Sequence, residues 1–270
     1  MNFATVNYEV KEQIAKITMN RPERMNALNH ALWNDLDSAF DEAGKDPQVR
    51  VVILSGAGRA FCSGWDLKEG PYTSVPEGYE QWGTGNALST LRGISGRYLK
   101  IMNFPKPTIA KVHGYCLAAG CYLELLCDVT YAAENAVFGH PATAGGGVDS
   151  MPFVWFLGAR NAKEFLMTRR YIDGKEAQRI GLVNKAIPPE KLEEEVWKLA
   201  KDMAVVPTED STAGGHGMTI LKENINADME IMGLGALFTY HRHLNAWGHA
   251  GLGKGQAFEQ LNAKRKQASP

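Results

Sequence analysis

Two glycine-bearing segments decide the fold of this chain: AFCSGWDLKEG at residues 60–70 and VHGYCLAAGCYLELLCD at residues 112–128. Each follows an apolar run typical of a buried strand, VVILSG before the first and PTIAKV at the start of the second. Each then continues into residues of helical character, and the first N–H groups of a helix have no partner within it. Two such N–H groups aimed at one point form an oxyanion hole. The two segments together predict a site built from main-chain donors.

The rest of the sequence loosely repeats the order strand, turn, helix, which is typical of the α/β class. Before the first segment, residues 5–19 predict paired strands, residues 30–44 an amphipathic helix and residues 51–54 a strand buried on both faces. Between the two segments, a helix is expected at 87–103 and a strand at Thr108–Val112.

Residues 70–86 are rich in Gly, Pro and Tyr, and they favour a loop. Beyond the second segment the chain becomes increasingly helical, with a polar, glycine-rich break at PTEDSTAGGHG. The expected elements are strands at 130–133 and 136–139 and helices at 152–168, 174–180, 190–204, 219–247 and 256–266.

Composition limits the possible functions. The 270 residues suffice for one large domain, or for a main domain with a smaller appendage. With 29 basic and 30 acidic residues, there is no case for nucleic acid or a membrane surface as partner. Short apolar runs, no signal-peptide pattern and four cysteines without CxxC spacing predict a cytoplasmic protein with reduced, packed thiols. The spacing of His241, His243 and His249 does not suit a helical metal site, so no metal is expected.

The spacing and residues of segments 60–70 and 112–128 resemble those of the crotonase (enoyl-CoA hydratase/isomerase) superfamily. The resemblance implies a spiral of ββα units with a helical C-terminal region. It divides the chain into a crotonase-like core at 1–204 and a C-terminal oligomerisation or lid region at 205–270. It also implies a trimer or a dimer of trimers, and coenzyme A (CoA) as part of a thioester substrate rather than as a separate cofactor.

In this resemblance the oxyanion donors are the main-chain N–H groups of Trp65 and Ala119, each next to a glycine that lets the backbone approach a ligand. The superfamily's hydratases carry one glutamate at each of two later positions, which here are Tyr122 and Ala142. Such a pair holds water and delivers a proton. A tyrosine phenol, with an ordinary pKa of about 10, is a weak base, and alanine has no proton to exchange. Hydration by a glutamate pair is therefore not expected.

Several residues are candidates to replace the glutamates. The resemblance places Asp149 where the dihydroxynaphthoyl-CoA synthases carry a catalytic aspartate, although an aspartate there also suits the cap of the following helix. His140 suits a proton shuttle, or a supporting hydrogen bond. Tyr240 lies near a tyrosine of the same synthases, with packing as the alternative. Glu124 follows Tyr122 by two residues, which on a helix turns it about 200° away, so it is expected to be structural.

The loop NRPERMNAL at residues 20–28 matches the superfamily's loop for the nucleotide end of CoA. Arg24 and Lys68 are the candidates for phosphate contact, with a solvated surface role as the alternative for each. The resemblance also places two C-terminal residues where they reach a neighbour's CoA. The full candidate set for CoA is Arg24, Asn26, Ala27, Asp66, Leu67, Lys68, Phe258 and Lys264.

These expectations leave several functions open. The leading one is an acyl-CoA enzyme of the hydratase/isomerase type that stabilises a thioester enolate without the glutamate pair. Within it, double-bond isomerisation, hydration by another acid–base set, and Claisen-type formation or cleavage of C–C bonds compete. The other two are a CoA-binding protein that has kept the fold without the chemistry, and a diketone hydrolase that uses the hole without CoA.

Overall fold

The computed structural model describes residues 3–69, 84–141, 153–204 and 217–251. A six-stranded sheet runs through its centre. Five of its strands are parallel neighbours, and the N-terminal strand runs antiparallel to the one beside it. Its strands, in spatial order, are β1 (Val6–Lys11), β2 (Ile14–Met19), β3 (Val51–Gly56), β5 (Thr108–Val112), β7 (Val129–Ala133) and β10 (Lys185–Ile187).

A second, smaller sheet receives the strands that follow β3, β5 and β7 along the chain, together with one further strand. Its first three strands are parallel, and the fourth is antiparallel. From β3 to β8 the chain thus alternates between the sheets, as expected for the spiral of ββα units that the resemblance implied. In spatial order the strands are β4 (Ala60–Cys62), β6 (Tyr115–Leu117), β8 (Val137–Gly139) and β9 (Ile172–Asp173).

Helices cover the sheets and form the C-terminal region. The first shows why the sequence folds this way: the Asn29 side chain accepts a hydrogen bond from the Leu32 N–H at its start, and Leu32, Leu36 and Phe40 form its buried face. The helices are α1 (His30–Lys45), α2 (Thr84–Met102), α3 (Ala119–Leu125), α4 (Phe153–Thr168), α5 (Gly174–Arg179), α6 (Leu192–Ala204), α7 (Gly217–Ile231) and α8 (Leu234–Gly251).

Two helix predictions need correction. The single helix expected at 219–247 is two helices, because Gly233 has φ 102°, a conformation that no helix interior accommodates. The helix α4 is kinked at Gly158, with φ 71° and ψ 161°. The expected helix at 256–266 lies outside the described residues, as does the expected loop at 70–86 except for residues 84–86. These three residues are helical and not a loop, because α2 already begins at Thr84.

The C-terminal helices present apolar side chains to solvent. On α7, Ile220, Leu221 and Ile225 are each about half exposed, and Tyr240 and Leu244 on α8 are more than half exposed. Across the described parts of the chain, helices are too short or too polar to cross a bilayer. The four cysteines are all free and buried, as expected.

Candidate active site

Three strands of the smaller sheet end at one edge, and the residues singled out in the sequence follow these ends. Cys62 of β4 pairs with Cys116 of β6, and Leu117 pairs with Gly139 of β8. The strands are parallel, so their carboxyl ends lie side by side, which is where ligands bind in open parallel sheets. The turns that follow carry Trp65, Ala119 and His140.

The turn after β4 is hydrogen-bonded to the loop at residues 20–28. The Leu28 N–H donates to the carbonyl of Gly64 at 2.8 Å, and the Asp66 N–H donates to the carbonyl of Leu28 at 2.8 Å. Trp65 lies between these two bonded residues, and its own main-chain N–H takes part in neither bond. Gly64 itself has φ 96°, which favours glycine there.

The turns after β4 and β6 are in direct contact. A Cβ atom on Gly64 would lie 2.9 Å from the Cβ of Ala118 and 3.3 Å from the N of Ala119. A Cβ on Gly120 would lie 2.3 Å from the carbonyl oxygen of Cys62. Only glycine therefore allows the start of α3 to pack against the end of β4. The main chain at Trp65 and Ala119 is held close together from both sides.

The backbone is strained where α3 begins. Ala118 has φ 49° and ψ −116°, an unusual conformation for a residue with a side chain, and its N–H donates to the Gly139 carbonyl at 2.9 Å. Ala119 is the first residue of α3, where N–H groups have no partner in the helix. Within the residues that the structure describes, neither the Ala119 N–H nor the Trp65 N–H donates a hydrogen bond to the protein.

Aromatic side chains surround these amides. The Trp65 ring packs on Trp33 with centroids 5.3 Å apart and meets Tyr98 edge-on at 6.3 Å. Tyr98 in turn meets Tyr122 edge-on at 5.6 Å, and Tyr122 meets Phe153 at 5.9 Å. This continuous layer excludes water from one side of the turns, and an apolar surrounding strengthens the interaction of an N–H donor with a charged oxygen.

Tyr122 and His140 form a hydrogen-bonded pair. The phenol oxygen lies 2.6 Å from Nε2 of the imidazole, and both side chains are about 1% exposed. Their rings are 5.3 Å apart, and Phe153 meets the His140 ring edge-on at 5.8 Å. The sequence singled out both residues, but not their contact.

Glu124 lies on the other side of the helix from this pair, as its spacing predicted. Its side chain is fully buried, and burial, followed by the neighbouring Cys121 thiol, raises the pKa of the carboxyl well above its ordinary value of 4.5. Thr130, at the start of the neighbouring β7, donates its hydroxyl to the Glu124 carbonyl at 2.9 Å. Glu124 therefore belongs to the core beneath α3.

The predicted CoA loop is shaped by its own buried side chains. Asn26 is fully buried with φ 53°; its amide donates to the carbonyls of Ala57 and Ala60 and accepts from the Arg21 N–H. Asn26 thus shapes the loop from inside. The sequence reasoning passed over Arg21, whose only signal was its place in the NRP motif. Its guanidinium pairs with Asp66 at 3.2 Å.

Asp66 is also committed to the protein. One carboxylate oxygen accepts from the N–H groups of Lys68 and Glu69, and the other accepts from Arg21. Burial alone raises the pKa of Asp66, but these donors outweigh it and hold the pKa below its ordinary value. Ala27 is half-buried, while Arg24, Leu67 and Lys68 are exposed on the two adjoining loops.

Other predicted residues lie elsewhere. Tyr240 is 64% exposed on α8, so it is neither packed within this chain nor part of the buried aromatic layer beside Trp65 and Tyr122. The described part of the chain holds no group of three His, Cys, Asp or Glu side chains suited to a metal. The remaining site predictions, Ala142, Asp149, Phe258 and Lys264, lie outside the described residues.

Comparison with known proteins agrees with this architecture. A family model described as enoyl-CoA hydratase/isomerase matches residues 9–244. A probable enoyl-CoA hydratase of Rhizobium meliloti (strain 1021) is 33% identical over 208 residues, which cover 76% of this chain and 77% of that protein. A probable mitochondrial enoyl-CoA hydratase of Dictyostelium discoideum is 30% identical over 233 residues, covering 85% and 78%.

Solved structures show the same fold. The crystal structure of an enoyl-CoA hydratase/isomerase from Xanthobacter autotrophicus Py2 superimposes with a TM-score of 0.84 at 28% identity, and the match covers 100% of both chains. A probable enoyl-CoA hydratase from Mycobacterium smegmatis gives 0.81 at 31% identity, over 92% of this chain and 96% of that one. This chain belongs to the enoyl-CoA hydratase/isomerase family, within the crotonase superfamily.

Proposed function

We propose that the protein stabilises the enolate of an acyl-CoA thioester between the main-chain N–H groups of Trp65 and Ala119. The observation that carries the proposal is the contact of their two turns, in which a Cβ on Gly64 would lie 3.3 Å from the Ala119 N. Neither amide has an acceptor among the described residues, and the aromatic layer around them keeps the local dielectric low. Losing one such donor typically costs about 10²–10³ in rate.

The proposed chemistry proceeds without the usual glutamate pair, because the resemblance places Tyr122 and Ala142 at those two positions. Double-bond isomerisation, hydration by another acid–base set and Claisen-type C–C chemistry remain the candidate reactions. Asp149 is a proposed participant in the last of these. The second candidate function, CoA binding without turnover, is favoured by the same two substitutions.

Arg24 and Lys68 are proposed to contact the phosphates of CoA. Both are exposed on loops that the hydrogen bonds between Leu28 and the Trp65 turn hold together. Phe258 and Lys264 of a neighbouring subunit are proposed to complete this site.

The protein is proposed to be a homo-oligomer, a trimer or a dimer of trimers. The support is the row of exposed apolar side chains on α7 and α8, since a monomer rarely leaves so many large apolar groups in water.

A hydrogen-exchange experiment tests the central proposal. The protein is incubated in D₂O with acetyl-, butanoyl-, octanoyl- and phenylacetyl-CoA, and loss of the α-proton signal is followed by NMR. We expect exchange with at least one thioester, because enolate formation releases the α-proton. Thioesters that raise the melting temperature without exchanging would instead support the CoA-binding protein, since a ligand that binds the native state must raise it. If neither CoA nor any thioester shifts the melting temperature, CoA is not a ligand.

A further inference from the structure

Two buried side chains beside the proposed oxyanion site are hydrogen-bonded to each other. We infer that Tyr122 and His140 form the proton-transfer pair of this site, with Tyr122 exchanging the proton with the substrate and His140 positioning and relaying for it. The inference rests on the proposed function, because it needs an enolate next to the N–H of Ala119.

The placement of Tyr122 follows from helix geometry. It comes three residues after Ala119 on α3, so the two lie on one face of the helix. Side chains of a helix lean toward its N-terminus, which directs the ring toward the end of α3 that carries the Ala119 N–H. Tyr98 touches the Tyr122 ring and the Trp65 ring, and so links Tyr122 to the side chain of the residue that carries the second amide.

The placement of His140 follows from sheet register. It comes directly after β8, whose Gly139 pairs with Leu117 of β6, and α3 starts two residues beyond Leu117. The Gly139 carbonyl also accepts the Ala118 N–H. The histidine is thereby fixed against the first turn of α3, and its Nε2 meets the Tyr122 oxygen at 2.6 Å.

The distance and the surroundings suit proton transfer. An O···N separation of 2.6 Å is at the short end for hydrogen bonds in proteins. Both side chains are about 1% exposed, and the Phe153 ring covers them from one side, so bulk water does not compete for the proton. A phenol is a weak base by itself, and an imidazole bonded to it provides the site that accepts its proton.

The proton balance is closed within the pair. When an α-carbon C–H bond breaks, its electron pair moves into the enolate held by the two amides, and the proton goes to the phenol oxygen. The phenol's own proton passes to Nε2, which gives an imidazolium. In the return step the imidazolium gives a proton back to the oxygen, and the oxygen delivers one to carbon. The pair ends as it began, with no other reactant needed.

Conservative variants test the pair. Tyr122→Phe keeps the ring and removes the hydroxyl, while His140→Gln keeps a polar side chain and removes the imidazole. Tyr8→Phe removes a buried hydroxyl on β1, far from the site, and serves as the matched control. Each protein is assayed for α-proton exchange on whichever of the four thioesters wild type exchanges, for binding of that thioester by calorimetry, and for thermal unfolding.

We expect exchange to fall by about 10² or more in Tyr122→Phe and in His140→Gln, with the dissociation constant changed less than about threefold. The double variant should lose little more than either single variant, because the residues act as a unit. If the fold-loss of exchange rate in the double variant equals the product of the two single losses, the pair is overturned, since independent effects combine that way. If His140→Gln does not fold, the exchange rate of Tyr122→Phe alone still tests the pair.

Two failures are distinguishable. Exchange that stays within threefold of wild type in Tyr122→Phe would overturn the pair and leave the oxyanion site standing. Absence of exchange in wild type itself would overturn the proposed function, and the pair with it.

Discussion

The Nζ of Lys222 lies 2.8 Å from Oδ2 of Asp128, and the same oxygen accepts from the N–H and the hydroxyl of Thr108. This ion pair ties the C-terminal helix α7 to the central sheet at the start of β5. The Lys222 side chain is only 8% exposed and the Asp128 side chain is 26% exposed, so the pair is partly shielded from solvent. Asn226, one turn later on α7, adds a bond to the carbonyl of Met102 at 3.1 Å.

Lys222→Met is expected to lower the free energy of unfolding by about 1 kcal/mol, because the Asp128 carboxylate loses its charged donor but stays partly solvated and keeps its bonds from Thr108. Amide hydrogen exchange should rise first in α7, since that helix loses its attachment. Lys163→Met, at an exposed position of α4, is the control and should change the free energy little. Equal loss in both variants would show that the ion pair does not fix α7.

The contact between the turns predicts a second outcome. Gly64→Ala places a Cβ 2.9 Å from the Cβ of Ala118, at a residue with φ 96°, so the turns must separate. The rate of α-proton exchange is expected to fall by about 10² or more, the cost of misplacing one oxyanion donor. Gly93→Ala is the matched control, because nothing lies within 4 Å of its Cβ on α2. That variant should keep the rate and gain about 0.5–1 kcal/mol in helix stability.

Glu124 predicts a pH dependence of stability. Burial holds the pKa of its carboxyl well above 4.5 in the folded protein, whereas the unfolded chain releases the proton near that value. Above pH 4.5 the folded state therefore binds more protons than the unfolded state, and the free energy of unfolding falls as the pH rises. The free energy of unfolding falls by up to about 1.4 kcal/mol per pH unit from this contribution, and the fall stops once the pH exceeds the folded pKa.

Glu124→Gln removes this contribution. Relative to wild type, we expect the variant to gain stability as the pH rises above 5, until the pH reaches the folded pKa of Glu124, measured by urea unfolding at each pH. Glu190→Gln, at an exposed residue, should run parallel to wild type over the same range. A difference between Glu124→Gln and wild type that does not change with pH would mean that Glu124 is ionised in the folded protein.

The sequence predicted most of the elements around the site because their signals are local. Apolar spacing and an asparagine cap specify α1, and strand β5 was predicted at Thr108–Val112 with the bounds that the structure has. The split of the C-terminal helix was missed, although Gly233 was visible. A glycine inside a helical pattern does not by itself say whether its φ is positive.

The contacts that complete the site depend on register, which no local pattern records. Tyr122 and His140 are 18 residues apart, and they meet only because β6 and β8 pair with Leu117 opposite Gly139. The Gly64 contact with Ala118 likewise needs the pairing of β4 with β6. The candidate site residues can therefore be predicted from the sequence, but the contacts among them depend on the strand pairing of the sheet.

The exposed side of α7 predicts the oligomeric state. Leu221 and Ile225 are four residues apart, so they form one apolar strip, and each is about half exposed in the single chain. We expect wild type to be oligomeric by light scattering and Leu221→Lys/Ile225→Lys to be monomeric, because two buried lysines at an interface cost more than the strip contributes. Asn224→Lys/Asp228→Lys has the same spacing on an exposed, polar strip of the same helix, and it should leave the mass unchanged. A monomeric wild type, or an oligomer that survives the lysines in the apolar strip, would remove α7 from the interface.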